Sequence, residues 1–457
     1  MRRALPWIGV ALLAAAPLTG MGNYPLHLMI MCLLWAFVYT SWALMGRLGM
    51  TSLGHGAFLA VGAYGVVMAW NLFGLSPWLS LPVLLLFAAL TAFLIGYPCF
   101  RLKIVGHYFA LVTLALGEIA RMVIVALRDQ TGGSLGATPN TALADASWSL
   151  TALQFSSKLV WFYLILGFWL FGLWVWTRVD RSMARLALEA ISQEEDAAAS
   201  IGINVTRLKL GVTVISALMT CLGGALYAQY QLYVNPETVS GIGVSLQMVF
   251  GAIAGGMFVR LGPTVGAVFT LLLAEVLRLA LGHDIHGLDT TLYGLMLVLF
   301  IIFMPKGILG AATEGWNSQR AKPATAAASV GINVTRLKLG VTVISALMTC
   351  LGGALYAQYQ LYVNPETVSG LGVSLQMVFG AIAGGMFVRL GPTVGAVFTL
   401  LLAEVLRLAL GHAIHGLDTT LYGLMLVLFI IYMPKGILGA ATEAWNRRRV
   451  KPATAAA

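Results

Sequence analysis

Charge is what this chain has least of. Among its 457 residues only 10% are Asp, Glu, Lys or Arg, while 59% are hydrophobic and the mean hydropathy is +0.88. A soluble domain carries roughly a quarter charged residues, so this composition excludes a water-covered globule and makes lipid the solvent. Cysteine is scarce as well. Cys32, Cys99, Cys221 and Cys350 lie in or beside apolar stretches and form no CxxC pair, which argues against a disulfide framework or a thiolate metal site. No Gly-x-x-x-x-Gly-Lys-[Ser/Thr] loop occurs, so nucleotide energy would have to come from another chain. Acidic residues number 17 against 27 basic ones, a formal charge of +10. The basic residues sit at the ends of apolar runs rather than in patches interleaved with aromatics. That pattern excludes a nucleic-acid surface and fits the setting of membrane orientation.

What is abundant is glycine, 51 residues, which lets membrane helices approach closely. Crossing a hydrocarbon core of ~30 Å takes about 20 helical residues. Apolar runs of that order fall near 5–22, 25–46, 55–73, 78–99, 107–127, 159–177, 210–233, 243–259, 263–281 and 290–308. Four more follow near 339–362, 372–388, 392–410 and 419–437. The expected fold is all-α, a polytopic transmembrane helix bundle of about ten helices plus about four in a duplicated segment. The runs at 55–73 and 243–259 are glycine-rich and could be re-entrant or broken. Met1-Arg2-Arg3 and the apolar stretch after it read as a first membrane helix rather than a cleaved signal peptide. With the N-terminus inside, 22 of the 27 Lys and Arg residues fall in cytoplasmic segments, leaving Arg121, Arg128, Lys158, Arg278 and Arg407 elsewhere. This orientation puts both termini in the cytoplasm.

Residues 200–328 and 329–457 align without gaps at an offset of 129 and differ at eight positions. Lys322-Pro323-Ala324-Thr325-Ala326-Ala327-Ala328 also matches the last seven residues of the chain. One copy therefore looks spliced after the natural end of another, which organises the chain into 1–199, 200–328 and its tandem duplicate 329–457. Four crossings per copy keep the topology intact.

The loop 178–209 is the most informative polar stretch. Glu189-Ala190, then Glu194-Glu195-Asp196-Ala197-Ala198, then Gly202 suggest a short surface helix ended by glycine. Such a helix can dock into a groove on a soluble partner; an ordinary solvated loop helix is the plainer alternative. Ser52, Gly54, His55 and Gly56, with Tyr64 beyond, suggest a broken helix exposing backbone groups to a solute. Close helix packing with a capping histidine explains the same residues. Glu118 and Arg121, three apart, can pair on one helix face, as can Glu275 with Arg278 and Glu404 with Arg407. Charges within membrane segments usually face a bundle interior or a water path, but each acid here already has a structural partner. His283-x-x-His286 beside Asp284 is too thin a case for a metal. No cofactor is called for. Gly251-x-x-x-Gly255 and Gly262-x-x-x-Gly266 read as packing faces.

Asp196-Ala197-Ala198-x-x-x-Gly202 resembles the Glu-Ala-Ala-x-x-x-Gly signature of ABC importer permeases, with Asp for Glu. Ser52-Leu53-Gly54-His55-Gly56-Ala57-Phe58, Tyr108-Phe109-Ala110-Leu111-Val112-Thr113-Leu114 with Gly117-Glu118-Ile119-Ala120-Arg121, and Thr131-Gly132-Gly133 carry the likeness further. So do Gly202-Ile203-Asn204-Val205-Thr206-Arg207, Gly223-Gly224-Ala225-Leu226-Tyr227 and Pro305-Lys306-Gly307-Ile308-Leu309-Gly310. In this order, from about residue 24 to 312, the chain resembles the branched-chain amino acid permease family of the LivM type.

That resemblance implies a non-catalytic subunit in the bacterial inner membrane. Its partners would be two cytoplasmic ABC ATPases, a second homologous permease and a periplasmic solute-binding protein. It makes the segment from Glu189 to Gly202 the ATPase-coupling helix and sets Ser52 to Tyr64 near the translocation path. In the second copy Thr325 stands where Asp196 stands, and Pro323 would interrupt a helix there, so the expected coupling helix is the first one alone. A self-sufficient carrier driven through Glu118 or Glu275, or a transport-inactive duplication product, are the rival readings.

Overall fold

The computed structural model describes residues 10–11, 13–104, 106–141, 148–149, 151–281, 288–304, 307–314, 334–410, 417–433 and 436–449. Residues 1–9 of the first apolar stretch, His283 and His286, Pro323 and Thr325, and the joint at 326–328 lie outside the described residues. The described part is almost wholly helical. The helices of the first part are α1 (Asn23–Gly46), α2 (His55–Phe73), α3 (Pro77–Arg101), α4 (His107–Ala126), α5 (Lys158–Asp180), α6 (Met183–Gln193) and α7 (Glu195–Ser200). The first repeat gives α8 (Val205–Gln231), α9 (Pro236–Val239), α10 (Ile242–Gly255), α11 (Gly262–Leu281), α12 (Leu288–Phe303) and α13 (Gly307–Glu314). The second gives α14 (Val334–Gln360), α15 (Pro365–Ser369), α16 (Leu371–Gly384), α17 (Gly391–Leu410), α18 (Leu417–Tyr432) and α19 (Gly436–Arg449). Two-residue strands β1 (Trp148–Ser149) and β2 (Gln154–Phe155) pair antiparallel in the loop before α5.

Among the described residues nine helices are long and apolar enough to cross a membrane, fewer than the sequence runs suggest. Part of the difference is length, since α12 and α18 have 16 residues and α16 has 14, about 24 and 21 Å at 1.5 Å per residue; the first run lies in part outside the described residues. The glycine-rich run at 55–73 is one continuous helix. The run at 243–259 forms α10, which a bend at Ser240-Gly241 separates from α9.

The chain divides into two compact units, Met1–Thr313 with Leu401–Pro434, and Glu314–Leu400 with Lys435–Ala457. This division does not follow the repeat boundary. In the larger unit α1 is the central post. It is apolar on every side and buried from Leu33 to Gly46, as a helix surrounded by protein should be. Packed around it are α5, α8, α10 and α11, with α2 and α3 against α8 and α4 beyond α2.

Glycines set the closest approaches. A Cβ on Gly62 would stand 1.8 Å from the Cys221 carbonyl oxygen, and one on Gly224 2.0 Å from that of Leu59, so α2 and α8 run backbone to backbone. Gly255 and Gly266 bring α10 and α11 together in the same way. Within the smaller unit the copy of that hairpin persists, with Gly384 against the Gly391 carbonyl and Gly395 against that of Gly380.

Candidate functional site

At one end of the larger unit, α6 and α7 lie across the tips of the membrane helices. The sequence suggests one short helix over this stretch; the structure breaks it at Glu194, whose backbone is extended. The reason is tertiary. Leu188 and Ile191 on α6 are buried and so is Ala198 on α7, and seating both faces takes a change of direction between them. Glu195 turns inward and forms an ion pair with Lys209 of α8, whose side chain is only 6% exposed and also lies 5.7 Å from the centre of the Phe100 ring. Asp196, one residue on, points to water and meets Lys103 at 2.6 Å, with both side chains about 70% exposed (69% and 74%). Ala197 and Gly202 are exposed. Gly202 takes φ +89°, the left-handed conformation that ends α7.

Glu189 is held by Arg185 one turn away at 2.8 Å, and this hydrogen bond keeps the Arg185 guanidinium pKa above its ordinary value. Ala190 is half-buried. The outward face also shows Met183, Leu186 and Ile201, 84%, 64% and 74% exposed. These three were not singled out from the sequence. The signal was present: Met183 and Leu186 fall out of phase with the Leu188–Ile191 stripe that α6 buries.

Between this segment and the bundle opens a cleft of about 500 Å³. Its walls carry Glu194, Glu195, Asp196, Lys103, Lys209 and Phe109. At its side Arg47 bridges to Asp180 at 2.6 Å and stacks 4.0 Å over the Trp176 ring. Burial pulls the Arg47 pKa down, and Asp180 opposes that shift.

Deeper in, residues 51–54 are not helical and α2 begins at His55, beside Thr113. Thr113 lies six residues inside α4, so α2 starts about 9 Å below the end of the bundle. Irregular backbone at such depth is tolerated only where protein satisfies it, and here hydroxyls do so. Leu53 N–H donates to Thr113 Oγ1 at 3.0 Å, Gly54 N–H to Ser52 Oγ at 3.4 Å and Gly56 N–H to Ser245 Oγ at 3.0 Å.

His55 is buried and hydrogen-bonded on both nitrogens, Nδ1 to Ser52 Oγ at 2.9 Å and Nε2 to Ser216 Oγ at 2.8 Å. Ser216 donates in turn to the Ser41 carbonyl at 2.6 Å. Gly54 and Gly56 are both needed for closeness: Cβ atoms there would stand 1.8 Å from the Thr113 carbonyl oxygen and 2.9 Å from that of Ser240. A gap of about 10 Å³ lies beside Ser52, His55 and Thr113. Phe109 lines both that gap and the cleft, and its ring packs on Phe100 with centroids 5.3 Å apart.

Toward the far end of the bundle Arg121 binds Glu118 at 2.5 Å and, across to α9, Glu237 at 3.0 Å. The sequence pairs Arg121 with Glu118 only; the second carboxylate is 116 residues away and local spacing could not reveal it. Tyr64 is buried, its hydroxyl 3.4 Å from the Val234 carbonyl. Glu275 pairs with Arg278 at 2.8 Å and also accepts from Tyr24. The side chain of Arg407 is outside the described set. The described cysteines are free thiols, Cys99 and Cys221 buried and Cys350 exposed. No cluster of metal-ligating side chains occurs among the described residues.

A many-spanning helical bundle with an amphipathic segment laid across one end is the build of a membrane permease. The profile of the family described as branched-chain amino acid transport system / permease component matches residues 24–305 and again 321–433, and the chain belongs to that family. It is 31% identical over 283 residues to the high-affinity branched-chain amino acid transport system permease protein LivM of Escherichia coli, and 30% identical to its namesake from Salmonella typhimurium. Each alignment covers 58% of this chain and 65% of the relative, so the chain spans about two thirds of the length of those proteins. A probable branched-chain amino acid transport permease protein LivH of Methanocaldococcus jannaschii is 25% identical over 301 residues, which is 60% of this chain and 90% of that protein. No solved structure matches.

Proposed function

We propose that this chain is the membrane-spanning subunit of an ATP-driven importer for branched-chain amino acids or a related small polar solute. Two cytoplasmic ABC ATPases, a second permease subunit and a periplasmic solute-binding protein would complete it. The reading sets the chain in the bacterial inner membrane with α6 and α7 cytoplasmic, in keeping with the excess of Lys and Arg at that end. Glu189, Ala190, Glu194, Asp196, Ala197 and Gly202 would form or flank the surface met by an ATPase, with Glu195 and Ala198 fixing that surface to the bundle.

The observation that carries this reading is the division of labour on α7. Glu195 and Ala198 face inward while Asp196 and Ala197 face out, beside exposed Met183, Leu186 and Ile201. A segment anchored on one side and offering both apolar and acidic side chains on its free side suits a docking helix. The solute would pass between the cleft and the His55 level at Phe109, with Ser52, Gly54, Gly56 and Tyr64 along the route and Glu118 and Arg121 tying its far end. Alternating access then amounts to α7 moving α8 through Lys209.

The test is site-directed cross-linking in inverted vesicles. Cysteine at Asp196 or Ala197 should join a nucleotide-hydrolysing neighbour, and uptake should stop when ATP is withdrawn. Uptake that persists without ATP but collapses with the proton gradient would instead make the chain an ion-coupled carrier.

A further inference from the structure

Helix α5 packs one face on α1 and turns a continuous stripe away from it. Val160, Gly167, Phe171, Trp174, Arg178 and Arg181 follow one another at spacings of three, four or seven residues, so they share one side of the helix. Val160, Phe171 and Trp174 are 40%, 43% and 56% exposed, and a Cβ built on Gly167 would meet open space. Phe171 and Trp174 stack with ring centroids 5.8 Å apart, and the Arg178 guanidinium lies 5.7 Å over the Trp174 ring. Arg178 and Arg181 are both exposed. Neither has a carboxylate partner among the described residues. The acids next to them in the chain are already taken, Asp180 by Arg47 at 2.6 Å and Glu189 by Arg185 at 2.8 Å.

We infer that this stripe is a binding site for an anionic phospholipid of the leaflet beside α6 and α7. Arg178 and Arg181 take the phosphate, Trp174 lies at the level of the glycerol, and an acyl chain runs over Phe171 to the recess at Gly167. Two unpaired guanidiniums offer forked donors that match phosphate oxygens. A headgroup with its own ammonium would bring a further cation against them, so the pair selects a net anionic lipid over a zwitterionic one. An indole at the headgroup boundary is where its apolar body and polar edge are both satisfied. Arg178 and Gly167 are 11 residues apart, about 16 Å of helix, and half of a ~30 Å hydrocarbon core is about 15 Å. The stripe is thus one leaflet deep, a length that a lipid fills and a free phosphate does not. This site lies on the outer wall of the bundle and stands apart from both the solute route and the docking of an ATPase on α7.

The test uses the full chain in phosphatidylcholine nanodiscs with a rising fraction of dibrominated phosphatidylglycerol, whose bromines quench indole fluorescence. The Trp174 signal is the difference between the chain and its Trp174→Phe variant. It should be quenched at a lower lipid fraction by brominated phosphatidylglycerol than by brominated phosphatidylcholine. Arg178→Gln should raise the half-quenching fraction about fivefold, and adding Arg181→Gln should make the two lipids equal. Arg207→Gln, which removes another exposed cation at the same end of the bundle, should change nothing. Should Arg178→Gln fail to accumulate, Arg181→Gln alone should show the shift. Soluble glycerol phosphate should not relieve the quenching. Equal quenching by the two lipids in the native sequence would overturn the inference. So would an unchanged response in the double variant, the same shift from Arg207→Gln, or relief by glycerol phosphate, which would make this a site for free phosphate.

Discussion

Removing the carboxylate of Glu195 should damage the bundle far more than removing that of Asp196, although the two are adjacent and chemically alike. Lys209, the partner of Glu195, has a side chain 6% exposed, and Glu195 itself is 22% exposed. At an effective dielectric of about 20, two unit charges 4 Å apart attract by about 4 kcal/mol. Deleting one member of a buried pair strands the other and typically costs about 3–5 kcal/mol. The Asp196–Lys103 pair is 74% and 69% exposed, and pairs of that kind contribute about 0–1 kcal/mol.

Glu195→Ala should therefore lower the temperature at which the detergent-solubilised protein loses its monodisperse gel-filtration peak, while Asp196→Ala leaves it almost unchanged. Lys209→Met, which keeps an unbranched apolar stem beside Phe100, should restore most of the loss when combined with Glu195→Ala. Equal losses for the two acids, or a double variant no better than Glu195→Ala, would refute the reasoning.

Asp196→Lys should abolish ATP-driven uptake with normal abundance in the membrane, whereas a charge at Thr325 should leave uptake unchanged; vesicle transport assays read both. Gly54→Ala has to displace the Thr113 carbonyl from 1.8 Å and should cost about 3 kcal/mol or more as an overpacking change. Gly211→Ala, where a Cβ has open space, should be neutral or gain up to about 1 kcal/mol from helix propensity. Heat-challenge gel filtration separates those two. Glu237→Gln leaves Arg121 with Glu118 alone and should loosen α9 from α4, seen as faster amide exchange at residues 236–241 with little loss of overall stability.

Much of this architecture can be read from residue order, because a helix in lipid must be apolar for its whole crossing. Every apolar run from 25–46 onward has its described helix, and the paired glycines at 251, 255, 262 and 266 announce the contact of α10 with α11. What residue order hides is contact between distant segments. Glu194-Glu195-Asp196 reads as one acidic helix face; only Lys209, on the far side of the loop, decides that Glu195 turns in and that the helix breaks. Arg121 has an obvious partner three residues away, which masks Glu237. Two helices of the same sequence, α12 and α18, end in different surroundings, and no reading of their residues could have separated them.

The unwound run at residues 51–54 has a consequence for any shape change. The amides of Leu53, Gly54 and Gly56 are answered by hydroxyls from separate elements, Thr113 on α4, Ser52 within the run and Ser245 on α10, while His55 leans on Ser216 of α8. A shift of one of those helices withdraws an acceptor and bares an N–H where no bulk water stands ready. A buried amide left unpaired costs about 1–3 kcal/mol. Movement of the bundle at this depth is thus tied to how these amides are paired.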